Sequence, residues 1–404
     1  MRVSTRFETR IPQSYAEKNR LVPAQGFEPW TIGLKDRCSN QAELRRQIPA
    51  DCPNFDACAI ARLSCGRPIQ RCSLPRVKAW VVRELGGPES LRLEEVEPSE
   101  LADGMVRIKV RAAAINFPDV LMVAGLYQEK PQLPFVPGVE VSGEVISAPA
   151  ASEFKPSDRV MALLDHGGLT RGGFAEIADA APSSITRMPD KMTFEDAAGF
   201  TLIYQTGWFG LHRRAHLKAG ETLLVHAGAG GVGSAAIQLG KAAGATVIAT
   251  AGSDAKVKVC LELGADHALN YKTQDFVEEV KRITGGRGAD VVYDPVGGDV
   301  YDRSTKCIAF EGRIVVVGFT SGRIPQAATN HVLIKNYSVV GLHWGLYTRR
   351  APELIPPATR ALLDLYEAGQ IKPYISTRLS LSQAPRALAM VAEGKSTGKV
   401  ILTV

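Results

Sequence analysis

Between residues 222 and 233 the chain runs from an apolar, β-branched stretch (222–226) straight into His226-Ala-Gly228-Ala-Gly230-Gly231-Val232-Gly233. A helical pattern then continues over residues 232–243. Strand, glycine turn and helix in that order leave few folds open. In the spacing Gly-x-Gly-x-x-Gly each glycine has its own task. Gly228 allows the tight turn, Gly230 lets backbone approach a pyrophosphate closely, and Gly233 lets the helix pack on the strand. The N–H groups and positive dipole end at the helix start, here Gly231 and Val232, then face the phosphates. A plain tight turn would not require three glycines so spaced.

The surrounding pattern agrees. Short β-branched runs at 222–226, 246–250, 267–271, 290–294, 313–319 and 337–342 are separated, for the most part, by helix-like segments at 232–243, 254–263, 274–284 and 300–309. Runs that are apolar throughout, alternating with helices, predict a parallel sheet covered on both faces. Right-handed crossovers make it doubly wound. Residues 77 to about 177 read differently. The segments 78–83, 91–95, 105–110 and 138–146 alternate apolar with polar residues between Gly and Pro breaks, as half-exposed antiparallel strands do. After Trp344 one amphipathic helix (358–367) and short strands ending at 399–404 follow. In the most economical arrangement this tail rejoins the β-rich part. A β-rich domain of 77–199 plus 344–404 would then carry a dinucleotide-binding domain of 200–343 as an insertion.

The 404 residues carry a formal charge of +6, which would ordinarily raise nucleic acid or anionic lipid as a partner. Its location removes that inference. Residues 1–76 hold 13 Lys and Arg against 7 Asp and Glu, leaving 35 of each in 77–404. Five of the seven cysteines lie in the same leader, odd in number and without Cys-x-x-Cys or histidine, so neither zinc nor a disulfide framework is supported. The run from Gly26 to Asn40 looks like translation through a transfer-RNA gene, while Val77-Lys-Ala-Trp80 looks like a natural start. Residues 1–76 are therefore read as a mis-assigned or disordered leader, with an organelle transit peptide disfavoured by its seven acids. No apolar run is long enough to span a membrane, and no secretory signal is present, so a cytoplasmic place is expected.

The choice of nucleotide depends on the end of the second β-run. An NAD site has an acid there for the ribose hydroxyl. This run ends Thr250-Ala-Gly-Ser253, and Asp254 comes one step late, as a helix N-terminal residue. Lys256 and Lys258 follow, and a lysine is an effective point charge for a 2′-phosphate, although such lysines also fit a solvated helix face. The pattern favours NADPH.

A metal-dependent alcohol dehydrogenase holds zinc with an open position. Residues 77–200 have no cysteine and a single histidine, His166, and the remaining Cys260 and Cys307 fall in predicted helices. No three-ligand set can be drawn. At this point the chain resembles the medium-chain dehydrogenase/reductase superfamily, and within it the zinc-free NADPH:quinone oxidoreductases of the zeta-crystallin type. The resemblance covers about residues 77–404. It rests on residues 114–127 (with Asn116, Asp119, Gly125 and Tyr127), 137–143, 158–162, the Gly228–Gly233 loop, 264–271 and 336–341. In zinc-bearing relatives a cysteine would stand near Asn116 and a histidine at Val139.

The resemblance implies a Rossmann-type sheet inserted into a β-rich, GroES-like substrate domain. It implies that Asn116 faces the nicotinamide, that Ser253 and Lys256 meet the 2′-phosphate, and that Tyr271 meets the cofactor phosphates. Gly318 and Phe319 would close over the pyrophosphate side. Plainer readings stand beside these: Asn116 as a strand-end turn residue, and Tyr271 and Phe319 as core aromatics. Leu121 stands where some quinone reductases have a tyrosine, so the acceptor does not carry over directly.

The expected reaction is metal-free hydride transfer from NADPH to a quinone. A second possibility is an activated alkene, an alkenal or enoyl thioester. That acceptor needs a proton at carbon, for which Asp119 and Tyr127 are the candidates. A third reading is an NADPH-binding structural or RNA-binding protein without turnover, the RNA version being weakened by the neutral charge of 77–404. A homodimer joined at the edge strand 337–342 is also implied by the resemblance.

Overall fold

The computed structural model describes residues 75–404, so the leader reading falls outside the described residues except at its last two positions. β1 (Val77–Val82) and β2 (Leu91–Val96) form an antiparallel pair. β3 (Val106–Ile115) is followed by α1 (Phe117–Val123), then by β4 (Glu140–Ser147), β5 (Arg159–Leu163), β6 (Ile177–Ala180) and β7 (Ile185–Arg187). α2 (Phe194–Ala198) and α3 (Thr201–Trp208) lead to the second sheet, which begins at β8 (Thr222–Val225). There α4 (Gly231–Ala242), β9 (Thr246–Ala251), α5 (Asp254–Glu262), β10 (His267–Asn270), α6 (Phe276–Ile283), β11 (Ala289–Asp294), α7 (Gly298–Ser304) and β12 (Ile308–Val316) alternate. α8 (Thr329–Lys335) and β13 (Ser338–Gly341) complete it. The tail adds α9 (Tyr347–Arg350), α10 (Ile355–Glu367), β14 (Ile375–Ser380), α11 (Ala384–Ala392) and β15 (Lys399–Thr403).

The second sheet is six-stranded and parallel, in the order β10-β9-β8-β11-β12-β13. Successive side chains of a strand point to opposite faces. Leu223 and Val225 accordingly join one apolar cluster with Val247 and Val291, and Leu224 joins the other with Ile248 and Val292. With both faces covered, the central strands β8, β9 and β11 are largely apolar, as their sequence runs are, while the edge strands β10 and β13 are partly exposed. The strand order reverses between β8 and β11, and a crevice for ligands opens at that switch point, at the carboxyl ends of the strands.

The first sheet is mostly antiparallel and runs β14-β15-β3-β4-β5-β7, with β6 also paired to β3. β14 and β15 come from the tail, so the parallel sheet is an insertion within the β-rich one. Three details differ from the sequence reading. β12 runs from Ile308 to Val316, its early start separated from the rest by a bulge around Glu311, at φ 56°, that shifts its register against β11. Cys307 consequently lies in the turn before β12 and not in a helix, buried like Cys260. α10 belongs with the tail in sequence, yet Ala358 and Leu362 pack into the parallel-sheet cluster. α11, whose Ala384, Ala387 and Leu388 are buried under the first sheet, has no counterpart among the predicted helices.

Candidate functional site

The glycine loop leaves β8 at His226, whose fully enclosed ring connects three segments. Its Nε2 lies 2.8 Å from Ser304 Oγ and its Nδ1 2.9 Å from Thr250 Oγ1. Ser304 already donates its hydroxyl proton to Val300 O, so its oxygen accepts from Nε2–H and Nδ1 accepts from Thr250. Burial, reinforced by the Arg303 charge, pushes the imidazole pKa down to about 3, so it is neutral. The loop, the tip of β9 and α7 are thereby held together.

Within the tight turn the left-handed residue is Ala227, at φ 50°. Gly228 is required for packing: a Cβ there would stand 2.9 Å from both Ala249 Cβ and Cys260 Sγ. Gly233 is the tightest position, since its Cβ would sit 2.2 Å from Ala227 O. At Gly230 a Cβ would meet only Ala227 O, at 3.2 Å, which makes it the least crowded of the three. Gly231, Val232 and Gly233 form the first turn of α4, where N–H groups lack intrahelical partners.

At the tip of β9, Ser253 caps α5, its Oγ accepting from Lys256 N–H at 3.3 Å. Asp254 accepts from Asn270 Nδ2 at 2.7 Å, so the nearest acid is engaged elsewhere. Burial, and then repulsion from Lys272, hold the Lys256 pKa below the ordinary lysine value. Its Nζ donates to Gly394 O at 2.9 Å. Tyr271 is 44% exposed and lies against Gly252, next to Ser253 in the chain, so it is not a core aromatic. Lys258 extends into solvent. Phe319, 36% exposed, covers Gly297 beyond the carboxyl end of β11, and Gly318 passes Pro295 O. The structure thus groups Ser253, Lys256 and Tyr271 at one corner and Gly318 and Phe319 at another. Lys272 joins the first group and was missed in the sequence.

The other half of the site is a buried polar cluster at the end of β3. Asn116 is the N-cap of α1. Its Nδ2 donates to Glu140 Oε2 at 3.2 Å, and its Oδ1 accepts from Lys399 Nζ at 2.6 Å. Lys399 also pairs with Glu140 at 3.3 Å, and Glu140 Oε1 accepts from Leu202 N–H at 2.8 Å. The sequence pattern gives Lys399 only a strand position, and gives Glu140 a strand position within the resembling segment 137–143. A lysine opening the apolar strand 399–403 was the available signal.

Asp119 is corrected in role. It is fully buried and accepts backbone N–H bonds from Asn116 (2.8 Å), Val139 (3.0 Å) and Gly138 (3.2 Å). It holds α1 against the loop before β4 and is not an open proton donor. Burial raises its pKa to about 7 against these N–H bonds and the Lys399 charge. His166 Nε2 lies 4.0 Å away, and burial pushes that imidazole to about 4. Tyr127 is half-buried on the loop after α1, its pKa raised by burial and then by Glu129. Glu129 pairs with Arg349 of α9 at 2.5 Å. Among the described residues no group of three or more His, Cys, Asp or Glu side chains is arranged to hold a metal ion. The Lys399 ammonium stands beside Glu140, where a cation would be repelled.

Comparison with known proteins agrees with this architecture. Residues 102–190 match the family model described as alcohol dehydrogenase GroES-like domain, and residues 231–360 the one described as zinc-binding dehydrogenase. The chain is 37% identical over 328 residues to a quinone oxidoreductase-like protein 2 homolog of Nematostella vectensis, covering 80% of this chain and 88% of that one. It is 32% identical over 330 residues to a Homo sapiens quinone oxidoreductase, covering 81% and 97%. The crystal structure of Escherichia coli quinone oxidoreductase complexed with NADPH superposes with a TM-score of 0.74 at 30% identity, covering 82% of this chain and all of that one.

Proposed function

Because the chain belongs to the quinone oxidoreductase family of the medium-chain dehydrogenase/reductase superfamily, we propose that it transfers a hydride from NADPH to a quinone without a metal. The observation that carries the reading is the basic, acid-free tip of β9 beside the glycine loop. Ser253, Lys256, Tyr271 and Lys272 are grouped there, while Asp254 is bonded to Asn270. The N–H groups of Gly231, Val232 and Gly233 hold the diphosphate, with Gly230 leaving it room. Lys256 and Ser253 take the 2′-phosphate, and Asn116 orients the nicotinamide end. Gly318 and Phe319 cover the pyrophosphate side. When bound, NADPH supplies the hydride. The quinone takes that hydride with its two electrons, and the resulting oxyanion takes its proton from water. No side-chain acid is therefore required, which accommodates the enclosed Asp119.

An activated alkene is the second acceptor. It needs a proton at carbon, and Tyr127, kept protonated by burial and Glu129, is the candidate donor. Turnover after exhaustive chelation, with a 1,4-quinone and a 2-alkenal in parallel, tests the reading. Faster quinone reduction that is insensitive to chelation is expected. Loss on chelation, or preference for the alkenal, contradicts it.

We also read the protein as a homodimer. β13 leaves an open edge, with Leu333 and Ile334 exposed on the preceding helix α8. Leu333→Asp should yield monomers by light scattering, and an unchanged mass contradicts the edge-to-edge arrangement. The buried free thiols Cys260 and Cys307 accord with a reducing, cytoplasmic place.

A further inference from the structure

Lys399 is 2% exposed, and its position joins two parts of the molecule. The preceding residue, Gly398, donates its N–H to Ala229 O in the glycine loop at 2.7 Å and bridges to Gly230. Gly398 has φ +58°, and a Cβ there would stand 2.1 Å from Tyr374 O, so only glycine fits this link. The Lys399 stem then passes 3.5 Å from where a Gly231 Cβ would lie. Its Nζ ends on Asn116 Oδ1. One residue thus spans from the first turn of α4 to the amide at the reacting end.

A primary amide can flip, exchanging donor for acceptor, unless both ends are specified. Here Lys399 can only donate, so it fixes the oxygen of Asn116, and the carboxylate of Glu140 can only accept, so it fixes the nitrogen. A buried ion pair of this kind adds little net stability over an apolar pair of the same shape. Its physical consequence is orientation.

We propose that Lys399 is a positioning residue: it locks the Asn116 carboxamide in one orientation and ties that orientation to the phosphate-binding loop. This rests on the reading of Asn116 as the residue facing the nicotinamide. The test compares Lys399→Met, Lys399→Arg, Lys399→Met/Glu140→Gln and Asn116→Ala in the full chain. NADPH affinity is measured by fluorescence titration, and turnover with a 1,4-quinone at saturating NADPH. Lys399→Met should lower kcat by about 10²-fold, the scale of a reactant misplaced by an ångström, with NADPH affinity changed by less than about threefold. Lys399→Arg should restore part of kcat. The double variant removes the unpaired carboxylate and keeps the fold, yet should remain slow. Unchanged kcat in Lys399→Met with impaired Asn116→Ala overturns the proposal alone. Unchanged kcat in both overturns the reading of Asn116 as well. Parallel loss of affinity, melting temperature and kcat, relieved in the double variant, would make Lys399 a fold residue and overturn the proposal.

Discussion

At the proposed nucleotide end the surface is backbone: a turn in which Gly228 and Gly233 admit contacts no side chain could, beside the less crowded Gly230. At the proposed reacting end it is side chain: Asn116, Glu140 and Lys399, all buried and each bonded to the others. The first is encoded within a dozen residues and the second by residues up to 283 positions apart. A backbone-built site tolerates substitution only where space allows, whereas a side-chain network fails by losing orientation. The two ends should therefore break in different ways.

The largest effect is expected at Gly233. Its methyl would collide with Ala227 O, so Gly233→Ala should weaken NADPH binding by more than about 10²-fold and destabilise the protein by roughly 1–3 kcal/mol. Gly230→Ala should weaken binding while sparing the melting temperature. Equal melting temperatures in the two variants would remove the distinction between packing glycine and phosphate glycine. Next comes Lys256→Ala, which should raise the Kd for NADPH about 10- to 100-fold and leave NADH unchanged. Isothermal titration with both nucleotides checks this, and equal losses contradict the assignment of the 2′-phosphate corner.

At neutral pH the smallest effect concerns His226, whose contribution grows only on acidification. Its folded-state pKa of about 3 lies below the unfolded value near 6.5, so only the unfolded chain takes up the proton between those values. This contributes a loss of stability as pH falls from about 6.5 toward 3, at up to about 1.4 kcal/mol per pH unit. His226→Gln should reduce the slope by that amount in denaturant titrations across this range. An unchanged slope would mean that the ring is not held neutral.

The same division explains what was legible in the sequence. The order of strand, glycine loop and helix, the six parallel runs and the acid-free tip at Ser253 were readable because each depends on local spacing. The early start of β12 at Ile308, separated from the rest by the bulge at Glu311, was not, because only pairing with β11 reveals it. Asp119 reads as an acid on an active-site loop, but three N–H groups from two segments enclose it. Lys399 reads as the first residue of a strand and acquires its role only when the tail returns beside β3. α10 looks like part of the tail until its apolar face meets the parallel sheet.

The most direct test of hydride transfer from NADPH to a quinone is an anaerobic single-turnover experiment monitored by nicotinamide absorbance. The purified chain, NADPH and a 1,4-quinone should give one hydroquinone per NADPH consumed, with NADH far less effective at equal concentration. Tight NADPH binding with no absorbance loss, with the quinone or with any activated alkene, would contradict the account and leave a nucleotide-binding protein without turnover.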